Sequence, residues 1–312
     1  MEEASMKQAL SMRPFGRTRR RSVIGLVLTG AVLLAACGGD DDSSDSTSVD
    51  TSAVEQEAQR IVSLSPTHTE ILYAIGAGDQ VVAVDSMSNF PADAAITDLS
   101  SYEPNVEAIA AFDPDLVVIG DDFTGLADQL AAIGVESWVS SAPVSLDEAY
   151  AQIVDLGSAV GRSEAASELA DSMKADIEEI ITGAAQLPEG TSYFLELDDT
   201  LFSVTSNTFV GSIFDMFGLR NIADATEGDT DYPQLSAEFI VSQDPTLIFL
   251  ADTKCCGASA ETVAARPGWD VLSAVINGHV FGLDDDIASR WGPRLVDFVA
   301  AIADALKVAG SE

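Results

Sequence analysis

One sequence pattern occurs twice in this chain, 131 positions apart, and it restricts the possible folds more than any other feature. Residues 105–121 read NVEAIAAFDPDLVVIGD, and residues 236–252 read SAEFIVSQDPTLIFLAD. Each copy predicts a short helix that ends at Asp-Pro, because a residue before proline is pushed out of the helical region. The apolar run after each break is typical of a buried parallel strand. Two such units far apart predict two similar α/β lobes.

The N-terminal segment is predicted to be a targeting signal. Five arginines precede the apolar run 23–36, which is too short for the roughly 20 residues of a membrane span. The run ends in Leu-Ala-Ala followed by Cys37, and this resembles the lipobox of bacterial lipoproteins. The resemblance implies that residues 1–36 are a lipoprotein signal peptide and that lipidated Cys37 anchors an extracytoplasmic protein to the cell membrane. A plain signal peptide or a signal anchor is the alternative.

The charge of the remaining chain excludes some partners. Residues 37–59 are predicted to be a disordered acidic tether, since they contain almost no large apolar side chain. Residues 1–36 hold six basic and two acidic residues, so residues 37–312 carry a formal charge of −40 with nine basic residues. This balance argues against nucleic acid or an anionic lipid surface as a partner.

Residues 60–144 alternate between predicted strands and helices, which indicates a Rossmann-like lobe with a parallel sheet. The strands are expected at 60–64, 81–84, 116–119 and 136–139. The first helix is expected over 70–75, opened by a capping box of Thr67 and Glu70.

Residues 145–186 have apolar positions at spacings of three and four, and they contain no proline. The pattern predicts about 38 residues of near-continuous helix, which Gly157 or Gly161 could bend. We interpret this segment as a rigid connector between lobes. The second lobe is then expected over residues 187–312.

Three segments carry a resemblance to a known family. Residues 61–72 (IVSLSPTHTEIL), the copy 104–117 and residues 289–294 (SRWGPR) together resemble the iron-complex and vitamin B12 substrate-binding proteins of ABC importers. The resemblance implies two Rossmann-like lobes joined by a single long helix, the helical-backbone periplasmic-binding-protein fold. It also implies a monomer that binds a small molecule in the interlobe cleft and hands it to a membrane permease.

The resemblance assigns roles to two glutamates of the repeat. In the family, one glutamate on each lobe docks into arginine pockets of the permease, and the matching residues are Glu107 and Glu238. The alternative is that each glutamate, in the first turn of its helix, only complements the helix dipole.

Pocket residues follow by position against the B12-binding branch of the family. Phe202 and Tyr232 match ring-bearing positions, and Asp286 matches a pocket aspartate. Met87 and Ser101 fall where that branch has aromatic residues, which puts cobalamin itself in doubt.

Three further residues are expected at the pocket. Tyr102 could replace part of the lost aromatic surface, while Arg290 and Trp291 could engage an anionic or flat conjugated ligand. The alternative for the last two is a loop salt bridge beside a core tryptophan.

Other polar residues give weaker signals. Cys255 and Cys256 are adjacent and could form a disulfide or stay as two buried thiols. The chain has two histidines, His68 and His279, so we expect no metal site and no cofactor. The acidic run 284–286 is interpreted as a solvated face.

These patterns favour a non-enzymatic lipoprotein that delivers an iron complex, either a ferric siderophore or haem, to an ABC importer. A cobalamin or corrinoid receptor is the alternative within the class. An extracytoplasmic enzyme on the same bilobal fold is the alternative of another class, although the chain contains no Gly-x-Ser-x-Gly elbow and no phosphate-binding glycine loop.

Overall fold

The first lobe is built on a four-stranded parallel sheet. The computed structural model describes residues 60–311 and arranges the strands in the order β2-β1-β3-β4. These are β1 (Ile61–Leu64), β2 (Val81–Val84), β3 (Leu116–Ile119) and β4 (Glu136–Val139). The helices between consecutive strands are α1 (Pro66–Ala74), α2 (Val106–Ala110) and α3 (Leu126–Ala132). β1 and β3 are buried throughout, as expected for apolar runs in the middle of a parallel sheet.

The second lobe repeats this arrangement. Its sheet has the order β6-β5-β7-β8, and all neighbouring strands are parallel. The strands are β5 (Ser192–Glu196), β6 (Arg220–Asn221), β7 (Leu247–Leu250) and β8 (Val280–Gly282). The helices between them are α6 (Phe209–Asp215), α7 (Ala237–Gln243), α8 (Ala260–Ala264) and α9 (Ser273–Ile276). The repeat strands β3 and β7 hold the same place in their sheets, so the prediction of two similar lobes is confirmed.

The Asp-Pro break of each repeat leaves the helical region, as the sequence predicts. Asp113 and Asp244 have φ values of 50° and 44°, in the left-handed region. Aspartate tolerates this conformation because its short polar side chain can hydrogen-bond locally. The Asp244 carboxylate accepts hydrogen bonds of 2.7 Å from both the backbone nitrogen and Oγ of Ser273. Each helix therefore ends before its Asp-Pro pair, as the sequence predicts.

The segment before the second lobe contains two helices instead of one. They are α4 (Leu146–Ala159) and α5 (Ser163–Gly183). Gly161 has a φ of 70°, which turns the chain between them. A Cβ on Gly157 would lie 2.1 Å from the Cβ of Ala166, so the two helices pack too closely for a larger residue there. The prediction of near-continuous helix over 145–186 is wrong, and α5 alone carries the chain to the second sheet.

The first helix begins earlier than the capping box predicted. Ser65 is the N-cap of α1 and Pro66 is its first residue, where the missing proline N–H costs no helical hydrogen bond. Glu70 therefore lies within the helix, and its carboxylate binds side chains from the other end of the chain.

The C-terminal end of the chain packs against α5, the helix that connects the two lobes. After β8 come α10 (Asp285–Ala288) and α11 (Leu295–Ala309), and α11 packs against α5. Phe298 of α11 contacts Phe214 of α6 with ring centroids 5.8 Å apart. These contacts join the terminal helix to the core of the second lobe.

The predictions for the N-terminus lie outside the described residues. These are the signal peptide over 1–36, the lipidation of Cys37 and the tether over 37–59. Within residues 60–311, no helix is both long enough and apolar enough to span a membrane.

Candidate ligand-binding cleft

A cavity of about 290 Å³ lies at the carboxyl ends of β1 and β3. The chain leaves β1 toward β2 on one side and β3 toward β4 on the other, so the cavity lies at a topological switch point of the sheet. The loops after these strands contribute Ser65, Gly120 and Asp121 to its wall. Open parallel sheets bind ligands at such a point. We therefore take this cavity as the candidate ligand-binding site.

A larger groove, of about 1090 Å³, lies between α4 and α5. It is a broad and open surface lined by side chains such as Tyr150, Asp155 and Lys174. It lies at no strand end, and its lining includes none of the residues predicted to bind ligand. Its size alone therefore does not make it the site.

The structure brings most of the predicted ligand residues together. Six of the eight line the smaller cavity: Met87, Ser101, Tyr102, Asp286, Arg290 and Trp291. The other two, Phe202 and Tyr232, lie on the second lobe outside this lining and are exposed. Burial, Asp231 and Asp121 together raise the pKa of Tyr232. Tyr232 is therefore within electrostatic reach of the cavity wall.

Phe123 and Asp121 also line the cavity, although the sequence analysis assigned neither of them a site role. Phe123 is 86% exposed. Together with the predicted residue Tyr102, which is 78% exposed, it offers two aromatic faces to a ligand in the cavity. Asp121 lies two residues after the end of β3 and is the last residue of the first repeat copy. Its place after a buried parallel strand is the signal that could have identified it.

Arg290 is held in a buried ion-pair network between the two ends of the chain. Its Nη1 donates to Glu70 Oε1 at 2.8 Å and to Asn89 Oδ1 at 2.9 Å. Its Nη2 donates to Asp286 Oδ1 at 2.9 Å and to the Met87 carbonyl oxygen at 3.2 Å. The side chain of Arg290 is 6% exposed. The sequence left open whether Arg290 engages a ligand or forms a salt bridge, and the structure contains the salt bridge.

Glu70 also binds a second arginine. Arg294 donates from Nε to Glu70 Oε2 at 2.9 Å and from Nη2 to Oε1 at 2.5 Å, a bidentate pair. A Cβ on Gly292 would lie 3.2 Å from the Thr67 carbonyl oxygen and 3.6 Å from Glu70 Cβ, so a side chain there would push the segment away from α1. The carboxylate of Glu70 thus holds residues 290–294 against the first lobe.

The acidic run 284–286 is bonded and not simply solvated, which corrects the expectation from sequence. Lys254 Nζ donates to Asp284 Oδ1 at 2.6 Å and to Asp286 Oδ2 at 2.8 Å. Although burial raises the pKa of Asp286, hydrogen bonds from Lys254 and Asn89 bring it below the ordinary value. Asp285 accepts a 2.9 Å hydrogen bond from the backbone nitrogen of Cys255. The run therefore fixes the loop after β7 to α10.

Cys255 and Cys256 form a disulfide in that loop. The backbone nitrogen of Cys256 donates to the Asp252 carbonyl oxygen at 3.2 Å. The pair thus lies between a buried aspartate on one side and the bonded acidic run on the other.

His68 and Trp291 pack together beside the cavity. Nδ1 of His68 lies 2.7 Å from Ser65 Oγ, and its ring meets Trp138 and Trp291 edge-on at 4.8 and 6.0 Å. Burial lowers the pKa of His68 to about 4, so the imidazole is neutral near pH 7. Trp291 Nε1 donates to Gln152 Oε1 at 2.9 Å. His68 is therefore a packing residue, and within the described part of the chain no three His, Cys, Asp or Glu side chains converge as metal ligands.

The equivalent place in the second lobe contains a buried pair of carboxylates. Asp252, the repeat counterpart of Asp121, follows β7, and Glu196 ends β5. Both are fully buried, and burial followed by the nearby Glu196 charge raises the pKa of Asp252 to about 7. Arg266 donates to both Glu196 oxygens at 2.6 Å. The second switch point is thus occupied by the chain's own polar side chains.

Glu107 and Glu238 lie in equivalent positions on the two lobes. Each is exposed in the first turn of its helix, and Asn105 and Ser236 cap these helices by accepting from Ala108 and Phe239. Among residues 60–311 neither glutamate side chain has an ion-pair or hydrogen-bond partner. In a βαβ unit the helix begins at the carboxyl edge of the sheet, so Glu107 lies at the edge of the first sheet that carries the cavity, and Glu238 lies at the matching edge of the second sheet.

Comparison with known proteins establishes the family. Residues 61–287 match the periplasmic binding protein family. This chain belongs to that family. The binding protein is 30% identical to the uncharacterized ABC transporter substrate-binding lipoprotein YvrC of Bacillus subtilis, over 92% of this chain and 97% of that protein. It therefore belongs with the substrate-binding components of ABC importers.

Two solved structures are similar to the binding protein. The vitamin B12 binding protein BtuF of Vibrio cholerae is 27% identical with a TM-score of 0.66, over 82% of this chain and 99% of that chain. The haem-binding protein RhuT of Roseiflexus, 24% identical, has a TM-score of 0.72 over 81% of this chain and 100% of that chain, which shows the fold alone. These matches confirm the helical-backbone periplasmic-binding-protein fold.

Proposed function

We propose that this protein captures an iron complex, either a ferric siderophore or haem, in the cavity at the first switch point and delivers it to an ABC permease. The main support for the proposal is that six predicted ligand residues line one cavity, where the rings of Tyr102 and Phe123 are exposed. A cleft with aromatic surface and a few polar groups is typical of sites for small organic molecules.

A corrinoid is the second candidate ligand. The 27% identity with the vitamin B12 binding protein of Vibrio cholerae, over most of both chains, supports it. Phe123 and Tyr102 supply aromatic surface on the first lobe, where Met87 and Ser101 lack it.

The first experiment identifies the ligand directly. The full-length protein is purified from its native membranes, and its absorbance and mass spectra are recorded. Iron complexes and corrinoids have distinct spectra, so either is recognisable if it co-purifies. A ligand recovered unchanged after incubation supports a receptor, whereas a turned-over product would favour the extracytoplasmic enzyme.

We further propose that Glu107 and Glu238 dock the binding protein onto its permease. Exposed carboxylates without partners are available to arginines of another protein, and such contacts orient a partner and speed its encounter. The double variant Glu107→Ala, Glu238→Ala is expected to bind ligand normally and to lose uptake in cells. The control is Glu168→Ala with Glu179→Ala, two exposed glutamates on the connecting helix. Normal uptake by the first double variant would contradict docking at these residues.

Lipid anchoring at Cys37 is proposed from the sequence alone. A Cys37→Ser variant is expected to leave the membrane fraction while keeping ligand affinity. Retention of that variant in washed membranes would favour a signal anchor instead.

A further inference from the structure

We infer that the cleft of this binding protein selects neutral or cationic metal complexes and discriminates against anionic ones. The inference rests on the proposed function and narrows its ligand class by charge. It starts from the ionisable side chains that line the cavity, which are Asp121, Asp286 and Arg290, together with Tyr102.

Arg290 is the basic side chain of this lining, and its charge is already neutralised. Both terminal nitrogens are engaged, with Glu70 and Asn89 on Nη1 and with Asp286 and the Met87 carbonyl oxygen on Nη2. If Arg290 turned toward a ligand, it would leave the buried Glu70 carboxylate with one partner fewer. Removing a partner from a buried charge is strongly unfavourable. A ligand carboxylate or catecholate therefore finds no free guanidinium here.

The neighbouring basic residues are also paired. Arg294 donates to Glu70, and its guanidinium lies over the ring of Phe90 at 4.3 Å. Lys254 donates to Asp284 and Asp286. Three cations thus meet the three carboxylates of Glu70, Asp284 and Asp286, so this network adds no net positive charge to the cavity.

Asp121 adds a negative charge to the cavity lining. Its carboxylate makes no hydrogen bond or ion pair with any residue from 60 to 311, and Asp121 lies two residues after the end of the buried strand β3. Its field reaches the second lobe, because Asp121 is one of the groups, after burial and Asp231, that raise the pKa of Tyr232. An anionic ligand in this cavity meets like charge, while a cationic or neutral complex does not.

The test is a titration of the full-length protein, freed of bound ligand, with four probes of known charge. Two are anionic, haem and a ferric triscatecholate, and two are not, cyanocobalamin and a cationic ferric trihydroxamate. Tryptophan fluorescence reports binding, since Trp291 lines the cavity. We expect at least one of the neutral or cationic probes to bind about tenfold more tightly than either anionic probe.

A charge variant separates electrostatics from shape. Asp121→Asn is expected to improve the affinity for the anionic probes by about tenfold relative to the cationic trihydroxamate, and the difference is expected to shrink at high salt. Asp128→Asn is the control, because Asp128 is exposed on α3 and the substitution changes the net charge equally.

The outcomes distinguish the inference from the function on which it rests. If an anionic probe binds most tightly, or if Asp121→Asn and Asp128→Asn act alike, the charge selection is wrong and the receptor function stands. If no probe binds and no metal complex co-purifies from native membranes, both the proposed function and the inference that rests on it are wrong.

Discussion

Arg290 donates a 2.8 Å hydrogen bond to Glu70, a residue 220 positions earlier in the chain, and both side chains are buried. The bond ties the segment after β8 to the first helix of the first lobe. Asp286 and Arg294 extend the network on either side of Arg290. One wall of the ligand cavity is therefore fixed by an ion pair between opposite ends of the folded chain.

Glu70→Gln is expected to destabilise the protein by about 3–5 kcal/mol, because it removes the charge that compensates the buried Arg290 and the partly buried Arg294. Urea unfolding followed by circular dichroism measures this loss. Glu103→Gln, at an exposed loop position, is the control and is expected to change stability by less than about 0.5 kcal/mol. Equal stability of the two variants would show that the network contributes no net stabilisation.

Asp252→Asn is expected to change how stability depends on pH. The folded-state pKa of Asp252 is about 7, above its ordinary value near 4, so between these values the native state binds a proton that the unfolded state does not. Protonation of Asp252 therefore increases the free energy of unfolding as the pH falls from 7 to 4. This increase is lost as the pH rises through 7. Relative to wild type, the asparagine variant should gain in Tm between pH 5 and pH 8. A constant Tm difference across this range would contradict a proton held by Asp252.

His68→Gln is expected to show the opposite trend. The pKa of His68 is about 4 in the folded state, so between pH 4 and 6.5 the unfolded state binds a proton that the native state does not. His68 thus removes stability as the pH falls. Loss of the Trp138 contact lowers the Tm of the glutamine variant at every pH. The difference in Tm between wild type and this variant should nevertheless be smaller at pH 4.5 than at pH 7.5. Parallel Tm curves would show that His68 titrates normally.

Phe123→Ala is expected to weaken ligand binding without weakening the fold. The ring is 86% exposed and lines the cavity, so its removal opens no core space. Loss of one aromatic face should cost about 0.5–1.5 kcal/mol of binding free energy, measured by titration calorimetry with the co-purified ligand. Ile276→Ala, at an exposed position on α9, is the control. Unchanged affinity for the Phe123 variant would remove this residue from the site.

Elements with local signals were predictable from sequence. The strands Val81–Val84 and Glu136–Val139 have the predicted bounds, since short runs of strand-forming residues follow turn-forming glycines. The reversal at Gly161 was missed because the helical spacing of apolar residues continues on both sides of the turn. Periodicity reports which face of a helix is buried and not whether the helix doubles back.

The candidate site was only partly predictable. The family resemblance identified Met87, Ser101 and Asp286, and side-chain chemistry suggested Tyr102, Arg290 and Trp291. Neither could show that Arg290 is already paired. Nor could they show that Glu70, which fits a capping box in sequence, binds two arginines more than 200 positions away.

The repeat in the sequence by itself determined two α/β lobes, because apolar strands and Asp-Pro breaks act over a few neighbouring residues. Only the tertiary structure decided the charge of the cleft. Pairing among Glu70, Asp286 and Arg290 depends on distances between segments far apart in the chain, and Coulomb energies follow those distances rather than sequence spacing.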